Sequence, residues 1–342
     1  MMIINTLQFI ENNDLHIFKI TSDTENTLTI ENGRLAIIEC SNKNKVAQPF
    51  LIGVGERFEI HKNKKYFINL LVPNSRISFS NHFNLAKEDD EYIQKLFTDI
   101  DDYYFGYEER YKKVYDVGAD LWETEKPNES LLKVFRKFPN IFKGKVIDLG
   151  CGEGRDTIFL YQQNIDIQGI DISHSAIEKA KEKIGNFNEE KSIFSTGNVL
   201  YLNRYEDDTF DLAMNMGCLH MINKNSDRLC HLQNVSRILK TGGYFLVDHC
   251  KSEWGKGFHT IEDYKQVKEQ LKAFHKENYI DRMVLVNGEK IKIPLKVIPY
   301  LEKSKTDLIK EITYFGFEVV ETFETDTESF GNSTLVLFRK TP

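Results

Sequence analysis

A chain of 342 residues, 41% apolar and 28% charged, is long enough for two cored domains and has the composition of a globular protein, neither fibrous nor disordered. Its net charge of −7 arises beyond residue 85, where 36 basic side chains face 44 acidic ones, a balance of −8 against +1 before it; that surface repels phosphate backbones, so a nucleic-acid partner is not expected. Five cysteines without a CxxC pair, a start that lacks a basic n-region, and no apolar run near the roughly 18 residues of a spanning helix predict neither disulfides, signal peptide nor membrane span, and a cytoplasmic setting.

Residues 1–85 read as short strands: Leu15–Ile20, Leu28–Ile30, Arg34–Cys40, Phe50–Val54, Arg57–Ile60, Tyr66–Val72 and Arg76–Ser80. Asn, Gly, Ser and Pro punctuate them at turns such as Asn32-Gly33 and Pro73-Asn74-Ser75, the pattern of an all-β sandwich or barrel. The stretch from Gly55 to Ile77 resembles one sheet-crossing of a cupin-like jelly roll. A metal there is not expected, because His61 lacks the second histidine and the glutamate that such a site uses. Residues 86–104 are acidic and periodic and read as a solvated helical connector.

From 105 to 342 helices and strands alternate, which predicts right-handed crossovers and a mostly parallel sheet. Helices are expected over Tyr103–Gly118, Asn128–Phe138, Asp156–Asn164, Ser173–Ile184, Ser226–Leu239 and Thr306–Tyr314. Strands are expected at Val146–Leu149, Ile165–Asp171, Ser192–Thr196, Phe210–Asn215, Tyr244–Cys250, Phe317–Phe323 and Thr334–Arg339. Between the fifth strand and the last helix an insertion, 251–303, is expected to carry a hairpin over Met283–Val297 that turns at Asn287-Gly288.

The chemistry concentrates where an apolar strand runs into glycines: Asp148-Leu149-Gly150-Cys151-Gly152-Glu153-Gly154-Arg155-Asp156. A dinucleotide fingerprint needs G-x-G-x-x-G, and Arg155 breaks that frame. Asp171 ends the next strand, and its carboxylate suits a pair of ribose hydroxyls, since charged acceptors make the strong hydrogen bonds. A plain helix N-cap is the alternative reading of Asp171. G-x-G-x-G after an Asp-bearing strand resembles the class I S-adenosylmethionine (SAM)-dependent methyltransferases over roughly 105–340, with wording closest to the tellurite-resistance and thiopurine methyltransferase group.

That resemblance implies an α/β Rossmann-like fold with a mixed, mostly parallel seven-stranded sheet, here preceded by a small all-β jelly-roll-like domain. It implies SAM as cofactor, held by Asp148, Gly150, Cys151, Gly152, Glu153, Gly154, Asp171, Ile172, Asn198, Val199, Asn215, Met216 and Gly217. The family usually has an acid where Asn198 stands; an amide oxygen still accepts, and a simple turn Asn is the alternative. His220, in the exit loop of the fourth strand, is the candidate general base, with a capping or core role as the alternative. The acceptor pocket is expected from Tyr107, Tyr111, Tyr115, Trp122, Trp254 and His259. No [DN]-P-P-[YFW] motif and no Pro-Cys pair occur, so DNA-adenine and cytosine-C5 methylation are not expected. A small-molecule acceptor is the leading expectation. A peptide or protein gripped by the β domain, and a catalytically silent SAM-binding regulator, are the alternatives.

Overall fold

The strand-rich start folds as read, and the computed structural model adds an edge strand at each end. It describes residues 8–12, 17–32, 35–40, 50–54, 56–70, 75–88, 93, 104, 106–119, 126–185, 192–200, 202, 204–222, 225–250, 279–286, 289–296, 298, 300–327 and 331–342. The chain divides into two units, Met1–Asp102 with Thr196–Asn198, and Tyr103–Ser195 with Val199–Pro342.

The first unit contains β1 (Gln8–Asn12), β2 (Ile17–Thr21), β3 (Asn26–Asn32), β4 (Leu35–Cys40), β5 (Phe50–Ile52), β6 (Arg57–Ile60), β7 (Lys65–Leu70), β8 (Ser75–Phe79) and β9 (Asn84–Lys87). One sheet runs β1-β8-β3-β6 and the other β5-β4-β7-β2-β9. Two four-stranded sets in that order are the two sheets of an eight-stranded jelly roll, with β9 added at an edge. Alternating residues such as Ile20, Leu28, Ile37, Ile68, Ile77 and Phe79 fill the space between the sheets. Two boundaries differ from the sequence reading. Strand pairing continues through Lys87. Ile93 is buried against Ile17, Ala36, Ile38 and Phe67, so at that residue the connector is not solvated: the outer face of the sheet is apolar and needs a cover. His61 is exposed, its Nδ1 3.1 Å from Glu25 Oε2.

In the second unit the helices are α1 (Gly106–Asp116), α2 (Glu129–Lys137), α3 (Arg155–Gln162), α4 (His174–Ile184), α5 (Asn225–Ile238) and α6 (Lys305–Thr313). The strands are β10 (Val146–Leu149), β11 (Ile167–Asp171), β12 (Phe194–Thr196), β13 (Phe210–Met216), β14 (Leu239–Cys250), the hairpin β15 (Tyr279–Val286) and β16 (Glu289–Lys296), β17 (Phe317–Thr327) and β18 (Gly331–Lys340). Local chemistry sets the helix starts. Asn128, Ser173 and Ser304 each accept a hydrogen bond from a first-turn N–H of α2, α4 and α6 respectively, satisfying donors that the helix leaves open. The sheet order is β12-β11-β10-β13-β14-β18-β17, with β18 antiparallel to both neighbours. This is the mixed seven-stranded sheet expected.

Chain order reverses between β10 and β13, so the crevice beyond their C-terminal ends is the natural ligand site of such a sheet. One face packs Ile147, Ala213, Phe245 and Val336 against α5 and α6; the other packs Val146, Leu212, Leu246 and Leu337 against α2 and α3. The hairpin rests on α1 through Val114, Val284, Val286, Ile293 and Leu295. No helix among the described residues is long and apolar enough to cross a membrane.

Candidate active site

The glycine loop leaves β10 at Gly150 and enters α3 at Arg155. Gly150 and Gly152 have φ of +83° and +54°, where a side chain is strained. A Cβ at Gly150 would collide with Cys218, and one at Gly152 would stand 2.8 Å from the Tyr111 hydroxyl. The loop therefore has no room for side chains between β13's exit and α1. Asp148, in β10, turns a buried carboxylate to the Thr157 hydroxyl, which donates at 2.7 Å. Burial pushes its pKa up to about 7, with the charge of Asp156 adding.

Asp171 ends β11 beside this loop. Its Oδ2 accepts from the Gly152 N–H at 2.9 Å and its Oδ1 from the Ser173 N–H at 2.8 Å. The carboxylate is thus oriented by backbone before any ligand arrives, with lone pairs to spare. Burial raises its pKa to about 6, opposed by those two N–H groups. Ile172 packs, partly buried, on the same core as Val199, and Asn198 is buried in the turn after β12. Cys151 is buried, and burial holds its thiol protonated.

α1 lies over the loop and is fastened at several points that the sequence did not reveal. Glu108 accepts from the Ser173 hydroxyl at 2.7 Å, the Ser175 N–H at 3.0 Å and the Ser175 hydroxyl at 2.6 Å, so a carboxylate sits at the N-terminus of α4. Tyr115 donates to Glu153 Oε1 at 2.7 Å, and Lys183 reaches Glu153 Oε2 at 3.2 Å. Tyr111 and Tyr115 have ring centroids 6.2 Å apart. The Tyr107 hydroxyl is buried and makes no hydrogen bond, and burial lifts its pKa. Trp122, Trp254 and His259 lie outside the described residues.

β13 ends in Asn215 and Met216, followed by Gly217. Asn215 faces protein on every side. Its Oδ1 accepts from the Cys218 N–H at 3.0 Å and the Leu219 N–H at 2.6 Å, and its Nδ2 lies 3.2 Å from His231 Nε2. It shapes the exit loop instead of opening toward a ligand. His220 follows in a single helical turn, Leu219–Met221. Its Nδ1 is buried without a partner, and its ring meets those of His249 and Tyr300 edge-on at 5.7 and 6.1 Å. Burial, and then the nearby Arg228 charge, push its pKa down to about 3. The imidazole is neutral at any ordinary pH, so the titration near ~6.5 that an unperturbed histidine would give is absent.

Arg228, in α5, is fully buried and braces this turn. It donates to the Leu219 and Ile222 carbonyls at 2.5 and 2.9 Å, and pairs with Glu311 at 2.7 and 2.6 Å. Its Nη2 also approaches His249 Nε2 at 3.4 Å. Nothing local in the sequence marks Arg228, because its side-chain partners Glu311 and His249 lie 83 and 21 residues away.

Comparison with known proteins agrees with this geometry. Residues 143–308 match the family model described as a methyltransferase domain. An uncharacterized methyltransferase of Schizosaccharomyces pombe is 34% identical over 27% of this chain and 62% of its own length. The human EEF1A lysine methyltransferase 2 is 26% identical over 44% of this chain and 68% of its own. Thus the chain spans less than two thirds of the first of these relatives. Among solved structures, the CcbJ methyltransferase of Streptomyces caelestis is 14% identical with a TM-score of 0.49, over 69% of this chain and 98% of that one. The matched segment, the sheet order and the glycine loop with its anchored Asp171 together identify a class I SAM-dependent methyltransferase domain.

Proposed function

We propose that the chain transfers a methyl group from SAM to a small-molecule acceptor. The reading rests on one observation above the others: Asp171 and the glycine loop are preset by backbone hydrogen bonds and roofed by α1, which Glu108 and Tyr115 tie down. A roof of that kind suits a small, enclosed acceptor better than a polymer. When bound, SAM supplies a methyl group already activated on a sulfonium. The residues need only hold, orient and, where the acceptor carries one, remove a proton. Asp171 would take the ribose hydroxyls, Ile172 and Val199 the adenine face, and Asp148 with the backbone of Gly150 to Gly154 the cofactor's remaining polar groups. Met216 and Gly217 would border the transferred methyl.

His220 stands in the exit loop as the group to receive the acceptor's proton. A neutral imidazole is the form in which a base must start, and burial makes this one weak, so it suits an acceptor that gives up its proton late or has little need to. Tyr107, with its free hydroxyl, and Tyr111 would line the acceptor's side.

Calorimetry with SAM, S-adenosylhomocysteine and NAD tests the reading, followed by transfer of label from SAM in a metabolite extract. NAD binding without SAM binding would sink it. The name of the human relative favours a second reading, a protein acceptor; label recovered in protein and not in small molecules would decide for that one.

A further inference from the structure

Beside α6 the surface opens into a groove of about 670 Å³. Its walls are α5, through Leu229, and α6; its floor is the segment from Leu301 to Ser304 that leads into α6. Lys303 and Glu311 line it and pair with each other at 3.3 Å, and Glu311 also holds Arg228. Those charges are matched, so the groove offers apolar surface from Leu229, Leu301 and Phe315. Leu229 is 51% exposed and Tyr314, at the C-cap of α6, is 81% exposed. Single exposed apolar side chains are ordinary, but two at one groove mark a binding surface.

Asp307, Lys310 and Tyr314 succeed one another at helical spacing along the groove side of α6. Asp307 accepts from the Ser304 hydroxyl at 2.7 Å. Neither Asp307 nor Lys310 has an ion-pair partner among the described residues. Such a face is complementary to itself. Consider a two-fold axis that crosses midway between residues 307 and 310 and sets two α6 helices antiparallel. It brings each Lys310 onto the Asp307 of the other copy, so two opposite-charge contacts form together. Tyr314 lies as far beyond Lys310 as Lys303 lies before Asp307. The same axis therefore carries each Tyr314 to the groove floor of the other copy, where an aromatic anchor meets an apolar recess. A slip of one residue would set Asp307 against Glu311 instead, two like charges.

We propose that the chain forms a two-fold dimer through α6, with each Tyr314 seated in the groove of the other copy and two Asp307–Lys310 pairs beside the axis. The occupant is a second copy because the face answers its own charges in the register that also fills the groove. The interface then lies one ion pair from the turn that carries His220, since Glu311 lines the groove and holds Arg228.

Sedimentation equilibrium of the full chain between ~1 and ~100 µM tests this, the range in which modest contacts come apart. Wild-type protein should sediment at twice the chain mass, and more weakly so in high salt, which screens the exposed charge pairs. Tyr314→Asp should be monomeric throughout. Lys310→Asp, and separately Asp307→Lys, sets like charges face to face twice and should weaken the dimer about tenfold or more. The protein carrying both exchanges re-forms the pairs with signs reversed, and should return to within about threefold of wild type. Monomeric wild type at ~100 µM would overturn the proposal. So would assembly beyond two copies, a dimer indifferent to Tyr314→Asp and Lys310→Asp, or a double exchange no tighter than the single ones. Melting temperature and S-adenosylhomocysteine binding check that each variant is folded. Asp307 also caps α6 through Ser304; should Asp307→Lys not fold, Tyr314→Asp and Lys310→Asp decide alone.

Discussion

Asp171 has two duties: it ties Gly152 and Ser173, and it offers its remaining lone pairs to a ligand. Asp171→Ala should weaken S-adenosylhomocysteine binding by ~1.5–3 kcal/mol, the usual value of hydrogen bonds to a charged group, as read by calorimetry. Asp171→Asn should lose less, because its amide oxygen still accepts one N–H. At His220 the expected pH response follows from burial. A histidine whose pKa is depressed to about 3 stays deprotonated at every pH above that, so turnover should show no limb near ~6.5 belonging to it. His220→Ala should cut turnover by less than the ~10²–10⁴ of a base whose pKa is matched to the working pH, with cofactor affinity nearly unchanged. A wild-type limb near ~6.5 that disappears in the variant would refute the environment described here. A histidine at 220 was legible as a candidate base in the sequence, but its protonation was not, because burial, and then the Arg228 charge, arise only in the folded packing.

At the scale of elements, what was legible follows from how local each signal is. The strand-glycine-helix passage at 146–156 and a hairpin, in which Val286 pairs with Glu289, came through because turn and periodicity signals lie within a few residues. Gln8–Asn12 and Asn84–Lys87 were missed because short edge strands have little apolar pattern of their own, and only pairing with β8 and β2 defines them. Asn215 read as ligand-facing by position, yet its amide is consumed by the Cys218 and Leu219 N–H groups, a closure visible only in three dimensions. The fastening of α1 is of the same kind, since Glu108 meets Ser173 and Ser175 across some 65 residues of chain. Glu108→Ala should release α1. Hydrogen exchange over 106–116 should rise, and S-adenosylhomocysteine should dissociate faster, because three bonds to a charged group worth ~1.5–3 kcal/mol each no longer close the roof. Unchanged exchange would mean that the hairpin, packed on Val114, holds α1 without help.

For the whole molecule, the division of apolar residues predicts how it melts. The jelly-roll core, built on Ile20, Ile37, Tyr66 and Phe79, shares no residue with the cores on the two faces of the seven-stranded sheet. Each unit thus has its own cooperative core, and separate cores unfold as separate transitions unless a large apolar interface couples them. Calorimetry on the full chain should resolve two transitions. S-adenosylhomocysteine contacts residues of one unit only in the site proposed here, and a ligand stabilises only what it binds, by about 2.7 kcal/mol at a hundred times its dissociation constant. For a unit of this size that corresponds to a rise of ~5–10 °C in one transition, with the other left in place. Asp171→Ala should abolish the rise without merging the transitions. A single transition that shifts as a whole, or a rise in both, would show that the two cores unfold together and that the β unit takes part in holding the cofactor.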